Sequence, residues 1–170
     1  MFMKIAIIYD SNTGNTEMLA SAIREVLDDQ DIVYFGRPEI DLPKADLYFI
    51  GSWTDRGDAS KKVIEVLNGL HSKKIAYFAT AGFKGEDYYE RLFKRVGTHI
   101  PEDNVLLGHF YCQGKMPQAT RERYEAMIKA NPDDKDLKIS LANFDAALSH
   151  PNEDDLTQVK DWALRIIDKI

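Results

Sequence analysis

Cysteine is almost missing from this chain of 170 residues, since Cys112 is the single one. One thiol cannot form an intramolecular disulfide, which excludes a small secreted domain held together by disulfides. Long apolar runs are missing too. The run that follows Lys4 in "MFMKIAIIYD" is too short for the apolar region of a signal peptide or for a membrane span. We therefore expect a protein of the cytoplasm that does not insert into a membrane.

Basic residues are outnumbered, with 22 Lys and Arg against 28 Asp and Glu, and the formal net charge is −6. Because such a surface repels a phosphate backbone, neither a nucleic acid nor an anionic membrane is expected as a partner, whereas a basic protein would be attracted. Histidine is scarce, and the four residues His71, His99, His109 and His150 lack metal-ligand spacing. No metal site is expected, and no triad or paired carboxylates indicate a hydrolase.

Strand patterns alternate with helix patterns through the first two thirds of the chain. Apolar, β-branched runs predict strands at 3–9, 31–35, 45–52, 73–80 and 104–112. Helical spacing follows the first strand and recurs at 58–71 and 86–96. This alternation predicts one α/β domain over 1–170, a three-layer, doubly wound fold with a five-stranded parallel sheet.

The rhythm changes after Cys112. Residues 117–150 contain two helical patterns with Asn131 and Pro132 between them, and 151–170 supply a last amphipathic helix. We therefore predict a helical insertion at 117–150, directly after the fifth strand.

The segment "SNTGNT" joins the first strand to the first helix. A helix N-terminus presents unpaired N–H groups and a partial positive charge, which together favour an anion. Ser11, Thr13 and Thr16 add hydroxyl groups, while no Lys or Arg lies between Asp10 and Ala22. The segment contains neither the G-K-[ST] end of a Walker A loop nor G-x-G-x-x-G. A phosphate would be held here by neutral donors alone.

This segment fits the [ST]-x-T-G-x-T signature of flavodoxins, and its position after the first strand is also theirs, so the chain resembles a flavodoxin. The resemblance implies FMN as the cofactor and the sheet order 2-1-3-4-5. It also implies that the loop cradles the FMN phosphate; the loop residues are Ser11, Asn12, Thr13, Gly14, Asn15 and Thr16. An alternative stays open, because Ser, Asn and Thr before a helix are ordinary N-caps.

The flavin ring would lie at the carboxyl ends of the strands, where ligands bind in open parallel sheets. The loop after the third strand reads "GSWTDRGDAS". By resemblance, Trp53 would cover one face of the ring, with Ser52 and Thr54 beside it. Gly57 is the candidate for a peptide that donates a hydrogen bond to the reduced N5.

The loop after the fourth strand, "ATAGFKGEDYYERL", is also rich in small residues and aromatics. By resemblance it would supply the aromatic on the opposite face of the ring, and Phe83 and Tyr88 compete for that role. Backbone contacts to the ring edge would come from Thr80, Ala81 and Gly82. The alternative is that Trp53 is a packed surface aromatic and Tyr88 belongs to a helix core.

The resemblance implies an FMN-binding protein that carries single electrons at low potential between a donor reductase and an acceptor enzyme. A net negative protein disfavours the anionic reduced flavin, which lowers the reduction potential. A monomer is expected, with a dimer as the alternative. Two other functions stay open: an FMN-dependent reductase that passes hydride from NADH or NADPH to a quinone or similar acceptor, and a binding module without flavin.

Overall fold

The computed structural model describes residues 3–170 and alternates strands with helices. The strands are β1 (Lys4–Asp10), β2 (Asp31–Gly36), β3 (Leu47–Asp55), β4 (Asp58–Ala59), β5 (Lys74–Ala81) and β6 (Val105–Gln113). The helices are α1 (Asn15–Val26), α2 (Lys61–Asn68), α3 (Glu86–Gly97), α4 (Gln118–Ala130), α5 (Lys135–Ala147) and α6 (Glu153–Ile167).

Five long strands form a parallel sheet in the order β2-β1-β3-β5-β6. Counted among the long strands alone, this is the predicted order 2-1-3-4-5, and the α/β fold class is confirmed. The order reverses between β1 and β3, so the carboxyl ends of these two strands border the crevice where such folds bind ligands.

A short antiparallel hairpin extends β3, and the prediction of one helix over 58–71 is wrong at its start. Asp58 and Ala59 form β4, which pairs with Asp55 and Thr54 of β3. The two turn residues, Arg56 and Gly57, have φ angles of 51° and 82°. Two consecutive positive φ angles are those of a two-residue type I′ turn, which favours glycine and closes a hairpin. The helix α2 begins only at Lys61.

The apolar core lies on both faces of the sheet, because successive side chains of a strand point to opposite faces. On one face, alternate β1 residues such as Ile5 and Ile7 pack with α1 and α6, including Ile23 and Trp162. On the other, the intervening β1 residues pack against α2 and α3 through Val63, Leu67 and Val96. Helices therefore cover both faces, which fixes the strand ends at one edge as the open surface.

The predicted insertion is a pair of helices, α4 and α5, between β6 and the terminal helix α6. They are antiparallel: the Arg121 guanidinium at the start of α4 donates to Asp145 near the end of α5, with Nε 3.0 Å from Oδ1. α5 buries Leu137, Phe144 and Ala147. None of the residues of α4, Gln118 to Ala130, is buried. α4 therefore lies on the outside of the molecule with little core of its own.

Across residues 3–170, we find no helix with both the length and the apolar character needed to cross a membrane.

Candidate functional site

A cleft of about 540 Å³ opens at the carboxyl ends of β1, β3 and β5. It brings together residues from the three loops that the sequence analysis singled out. The predicted residues that line it are Asn12, Thr13, Asn15, Trp53, Thr54, Gly57, Thr80, Ala81, Gly82, Phe83 and Tyr88. The sequence pattern thus identified side chains that meet in space although they lie up to 76 positions apart (12 to 88).

One end of the cleft is formed by the loop from Ser11 to the start of α1. In the part of the chain that the structure describes, the backbone N–H groups of Asn12, Thr13, Asn15 and Thr16 donate to no protein acceptor. Gly14, with φ 89°, is the N-cap and offers no side-chain cap. Unpaired donors at a helix N-terminus attract an anion. The loop therefore fits a phosphate group held by neutral donors, and we call residues 11–16 the anion-binding loop on this ground.

Four predicted loop and strand residues do not line the cleft. Ser11 Oγ accepts hydrogen bonds from the N–H groups of Gly14 and Glu17 at 3.1 and 3.3 Å, so this hydroxyl holds the loop in shape. Thr16 is fully buried, and its hydroxyl lies 3.1 Å from that of Thr80. Ser52 is also fully buried; its hydroxyl donates to the Trp53 carbonyl and accepts from the Ser60 N–H. Gly14 does not line the cleft either.

Trp53 is held in place by a charged pair beneath the cleft. Its indole Nε1–H donates to Asp10 Oδ2 at 3.1 Å. The other oxygen of Asp10 accepts from Arg37 Nη1 at 3.3 Å, and the same Arg37 atom donates to the Ser11 carbonyl at 2.9 Å. Asp10 is the last residue of β1, so the strand itself fixes the orientation of the indole. The ring therefore forms a fixed aromatic wall beside the anion-binding loop.

Another wall of the cleft is an aromatic group on the loop after β5 and on α3. Phe83 and Tyr88 meet edge to face with their ring centroids 6.3 Å apart. Burial raises the pKa of Tyr88, and Arg91, whose guanidinium lies 6.0 Å from the ring centroid, partly offsets that rise. Both aromatics that competed in the sequence analysis thus line the cleft.

The loop after β5 is fixed by polar side chains from outside it. The Gly82 carbonyl accepts from Gln113 Nε2 at 3.0 Å and from Asn143 Nδ2 at 2.9 Å. Thr54 Oγ1 donates to the Thr80 carbonyl at 2.8 Å. Because Asn143 belongs to α5, the inserted helices help to hold a loop of the cleft in place.

The β3–β4 hairpin is anchored to α3 through Asp58. Its carboxylate lies 2.9 Å from His99 Nε2 and accepts from Arg95 Nε at 3.1 Å. Burial by itself raises the pKa of Asp58, but the hydrogen bonds from His99 and the Ala59 N–H and the charges of His99 and Arg95 outweigh it, so the pKa is lowered. This contact fixes the hairpin that carries Gly57 into the cleft.

Sequence reasoning assigned no role to a further wall of the cleft. It consists of Gly114, Lys115, Met116, Pro117, Thr120, Arg123 and Tyr124, which follow β6 and continue into α4. The link to the anion-binding loop is direct, because Asn15 Nδ2 donates to the Lys115 carbonyl at 2.8 Å. The only sequence signal for this wall is the spacing of Thr120, Arg123 and Tyr124 on one face of a helix, which does not reveal what the face contacts.

The cleft carries more positive than negative charge, against the sign of the whole chain. Its cations are Arg56, Lys115 and Arg123, and its one carboxylate in the described residues is Asp55. Neutral donors at one end and fixed aromatic walls together suit a planar ligand that bears a phosphate group.

Comparisons with known proteins find similar sequences and similar folds. The family model described as the flavodoxin domain matches residues 6–163. Two relatives are both described as the flavodoxin-like domain-containing protein BilS. The one from Clostridioides difficile (strain CD3) is 33% identical over 98% of this chain and 98% of its own. The one from Clostridium symbiosum (strain WAL-14163) is 37% identical over 91% of this chain and 90% of its own.

Solved structures share the fold at lower identity. Oxidised flavodoxin 2 from Bacillus cereus has a TM-score of 0.59 and 20% identity, and the match covers 98% of this chain and 99% of that chain. The flavodoxin of Streptococcus pneumoniae TIGR4 has a TM-score of 0.57 and 17% identity, with coverage of 98% and 99%.

Proposed function

The chain belongs to the flavodoxin domain family, and from this premise we propose that it binds FMN in the cleft and carries single electrons between a donor reductase and an acceptor enzyme. The observation that carries the proposal is the anion-binding loop. Four backbone N–H groups of this loop donate to no protein acceptor in the described chain, and the loop contains no Lys or Arg side chain. Donors left in this way at a helix N-terminus are stabilised by a bound phosphate.

The residues around the loop suit the rest of the cofactor. Trp53 would cover one face of the flavin ring, and Phe83 or Tyr88 the other. The hairpin peptide at Gly57 would donate a hydrogen bond to the ring. Asn15 Oδ1 is buried and has no hydrogen-bond partner in the described residues, which suits a hydroxyl of the ribityl chain.

The bound flavin would supply the electron-carrying chemistry, and the chain would supply position and charge. Asp10 places a carboxylate directly behind Trp53. This carboxylate disfavours added electrons on the ring, whereas its partner Arg37 and the cations that line the cleft act in the opposite direction. The proposed low reduction potential therefore rests on the net charge of −6.

The first experiment is a titration of the purified protein with FMN, followed by visible absorption and by quenching of flavin fluorescence. Stoichiometric uptake with quenching is expected, because an aromatic stacked on the ring quenches it. A protein that takes up neither FMN nor riboflavin would overturn the proposal and leave the third function, a binding module without flavin.

The phosphate assignment has its own test in Thr13→Val. Losing one donor to the phosphate should weaken FMN binding about tenfold while leaving riboflavin binding nearly unchanged, since riboflavin lacks the phosphate. Thr157→Val, on the exposed side of α6, is the matched control. Equal weakening of both ligands would contradict a phosphate at this loop.

A second candidate is favoured by one observation, the wall that α4 adds to the cleft. Such a wall suits a small acceptor bound beside the flavin, as in an FMN-dependent NADH- or NADPH-oxidising reductase. The FMN-loaded protein alone would then oxidise NADH or NADPH in the presence of a quinone. A carrier would ignore both nucleotides unless a reductase is added.

A further inference from the structure

Around the mouth of the cleft lie exposed cationic and thioether side chains and a half-buried tyrosine, and the fold makes little use of them. We call Arg56, Lys115, Arg123, Tyr124 and Met127 the cleft-mouth patch. We propose that this patch is the docking surface for an acidic face of a redox partner protein. The inference rests on the proposed function as an electron carrier.

The cations of the patch have few ionic partners within the described chain. The Arg56 side chain is 97% exposed, and the carboxylate it approaches, that of Asp55, lies 4.0 Å away. Lys115 and Arg123 are exposed and form no ion pair with any described residue. Neighbouring arginines differ, since Arg95 is paired with Asp58 and Arg121 with Asp145. The free cations are therefore available to carboxylates of another molecule.

Two faces of the helix α4 make different contacts. Arg121 and Glu125 lie on the side that contacts α5, where Arg121 pairs with Asp145. Thr120, Tyr124 and Met127 follow the spacing i, i+4, i+7 and so share another face. Thr120 and Tyr124 on that face line the cleft, and Met127 is 45% exposed. This face therefore leads from the cleft wall out to the surface.

The composition of the patch suits a protein rather than solvent. Arg, Tyr and Met are enriched at protein interfaces, and Arg and Tyr dominate their hot spots. The Arg123 guanidinium lies 5.8 Å from the Tyr124 ring centroid, which keeps the two side chains together. A partner seated on this patch borders the cofactor cleft, which is the arrangement that electron transfer needs.

Charge selects the partner. The chain as a whole carries −6, so its general field attracts basic proteins. The cleft-mouth patch is positively charged, so at short range it attracts carboxylates and repels basic surfaces. An acidic partner is thus repelled elsewhere and held only at the patch, which orients it and keeps the complex short-lived.

The test uses a protein probe chosen for its charge. Zinc-substituted rubredoxin is small, acidic and unable to accept an electron, so it reports binding without electron transfer. Added to the ¹⁵N-labelled, FMN-saturated protein, it should shift the amide signals of residues 56, 115 and 123–127, with weaker binding as salt rises. Cytochrome c, a basic protein, should leave those signals unchanged. Rubredoxin shifts scattered over the surface, or none, would overturn the proposal.

Charge reversal tests the same surface. Arg56→Glu and Arg123→Glu should each weaken rubredoxin binding about fivefold. Lys44→Glu reverses an exposed charge just before β3, at the opposite end of the sheet, and should change it less than twofold. Equal effects at all three positions would mean that rubredoxin binding depends on net charge alone, which would overturn the patch as a docking surface.

Failure of this proposal is distinguishable from failure of FMN binding. The FMN titration is made separately on every variant, and rubredoxin can be titrated against the protein without flavin. Normal FMN uptake with no rubredoxin binding at the patch removes only the docking surface. Patch signals that respond to the small anion ferrocyanide but not to rubredoxin would assign the cations to small anions and overturn the partner proposed here.

Discussion

Trp53 is held by its own hydrogen bond to Asp10, so its ring has a fixed direction before any ligand arrives. A preorganised aromatic costs little entropy on binding and contributes its stacking in full. Trp53→Ala should therefore weaken FMN and riboflavin binding equally, by about tenfold or more, while Trp53→Phe should recover much of the loss. Fluorescence titration with both flavins measures this. Loss of FMN binding alone would mean that Trp53 contacts the phosphate end instead.

Asp10 has a second consequence, because its carboxylate lies behind the aromatic wall of the cleft. Asp10→Asn removes the charge and can keep the acceptor for the Trp53 indole. The reduction potential of the bound flavin should then rise, on the order of 20–80 mV, as expected for one charge in partly screened surroundings. Redox titration checks this. Asp31→Asn, at the amino end of β2, is the control and should leave the potential within a few millivolts.

The anion-binding loop was the most predictable part of the site. Its residues are contiguous, and both its turn and its donors follow from local chemistry, so "SNTGNT" was sufficient to locate it. The roles of individual side chains were less accessible. Ser11 and Thr16 turn inward to hydrogen bonds that depend on the folded loop and on Thr80 of another strand. No local pattern distinguishes a hydroxyl that faces a ligand from one that braces the backbone.

At the scale of elements, the β3–β4 hairpin depends on one carboxylate. The folded state lowers the pKa of Asp58 from its usual 3.8. The ionised form therefore stabilises the fold above the unfolded pKa, and this contribution is lost as pH falls through the lower folded pKa. Asp58→Asn should cost about 1–3 kcal/mol of unfolding free energy at neutral pH and progressively less below pH 4.

Urea unfolding between about pH 7 and pH 2 measures that difference. Asp41→Asn, in an exposed loop, is the control and should follow the original protein across the whole range. A cost for Asp58→Asn that stays constant down to pH 2 would mean that shape, and not charge, anchors the hairpin.

The elements themselves were largely predictable because their apolar periods are long. The five long strands, their order, the two inserted helices and α6 agree with expectation. The predicted start of α2 was wrong, because "DAS" continues the apolar spacing of the helix that follows. Its actual conformation is set by the two positive φ angles at Arg56 and Gly57 and by pairing with β3. Pairing between strands depends on tertiary structure, which helical periodicity does not indicate.

At the scale of the whole molecule, the cleft joins parts of the chain that are distant in sequence. The wall from Gly114 to Tyr124 was assigned no role from the sequence for that reason, since the pattern of a helix face does not show what the face contacts. In the same arrangement, one ligand in the cleft would contact loops from β1, β3 and β5 together with the insertion. Binding should therefore stabilise the chain as a unit.

A ligand that binds only the folded state stabilises it by about 2.7 kcal/mol at a concentration of 100 Kd. For a domain of this length, each kcal/mol raises Tm by about 2–4 °C, so FMN at that excess should raise Tm by about 5–11 °C. Riboflavin at the same concentration should raise Tm less, because it leaves the loop donors unpaired.

Hydrogen exchange shows where the stabilisation acts. If the insertion forms part of the site, FMN should slow exchange at residues 115–124 as well as at 11–16. Protection confined to the three strand-end loops would remove α4 from the site, and with it the reason to expect a second ligand beside the flavin.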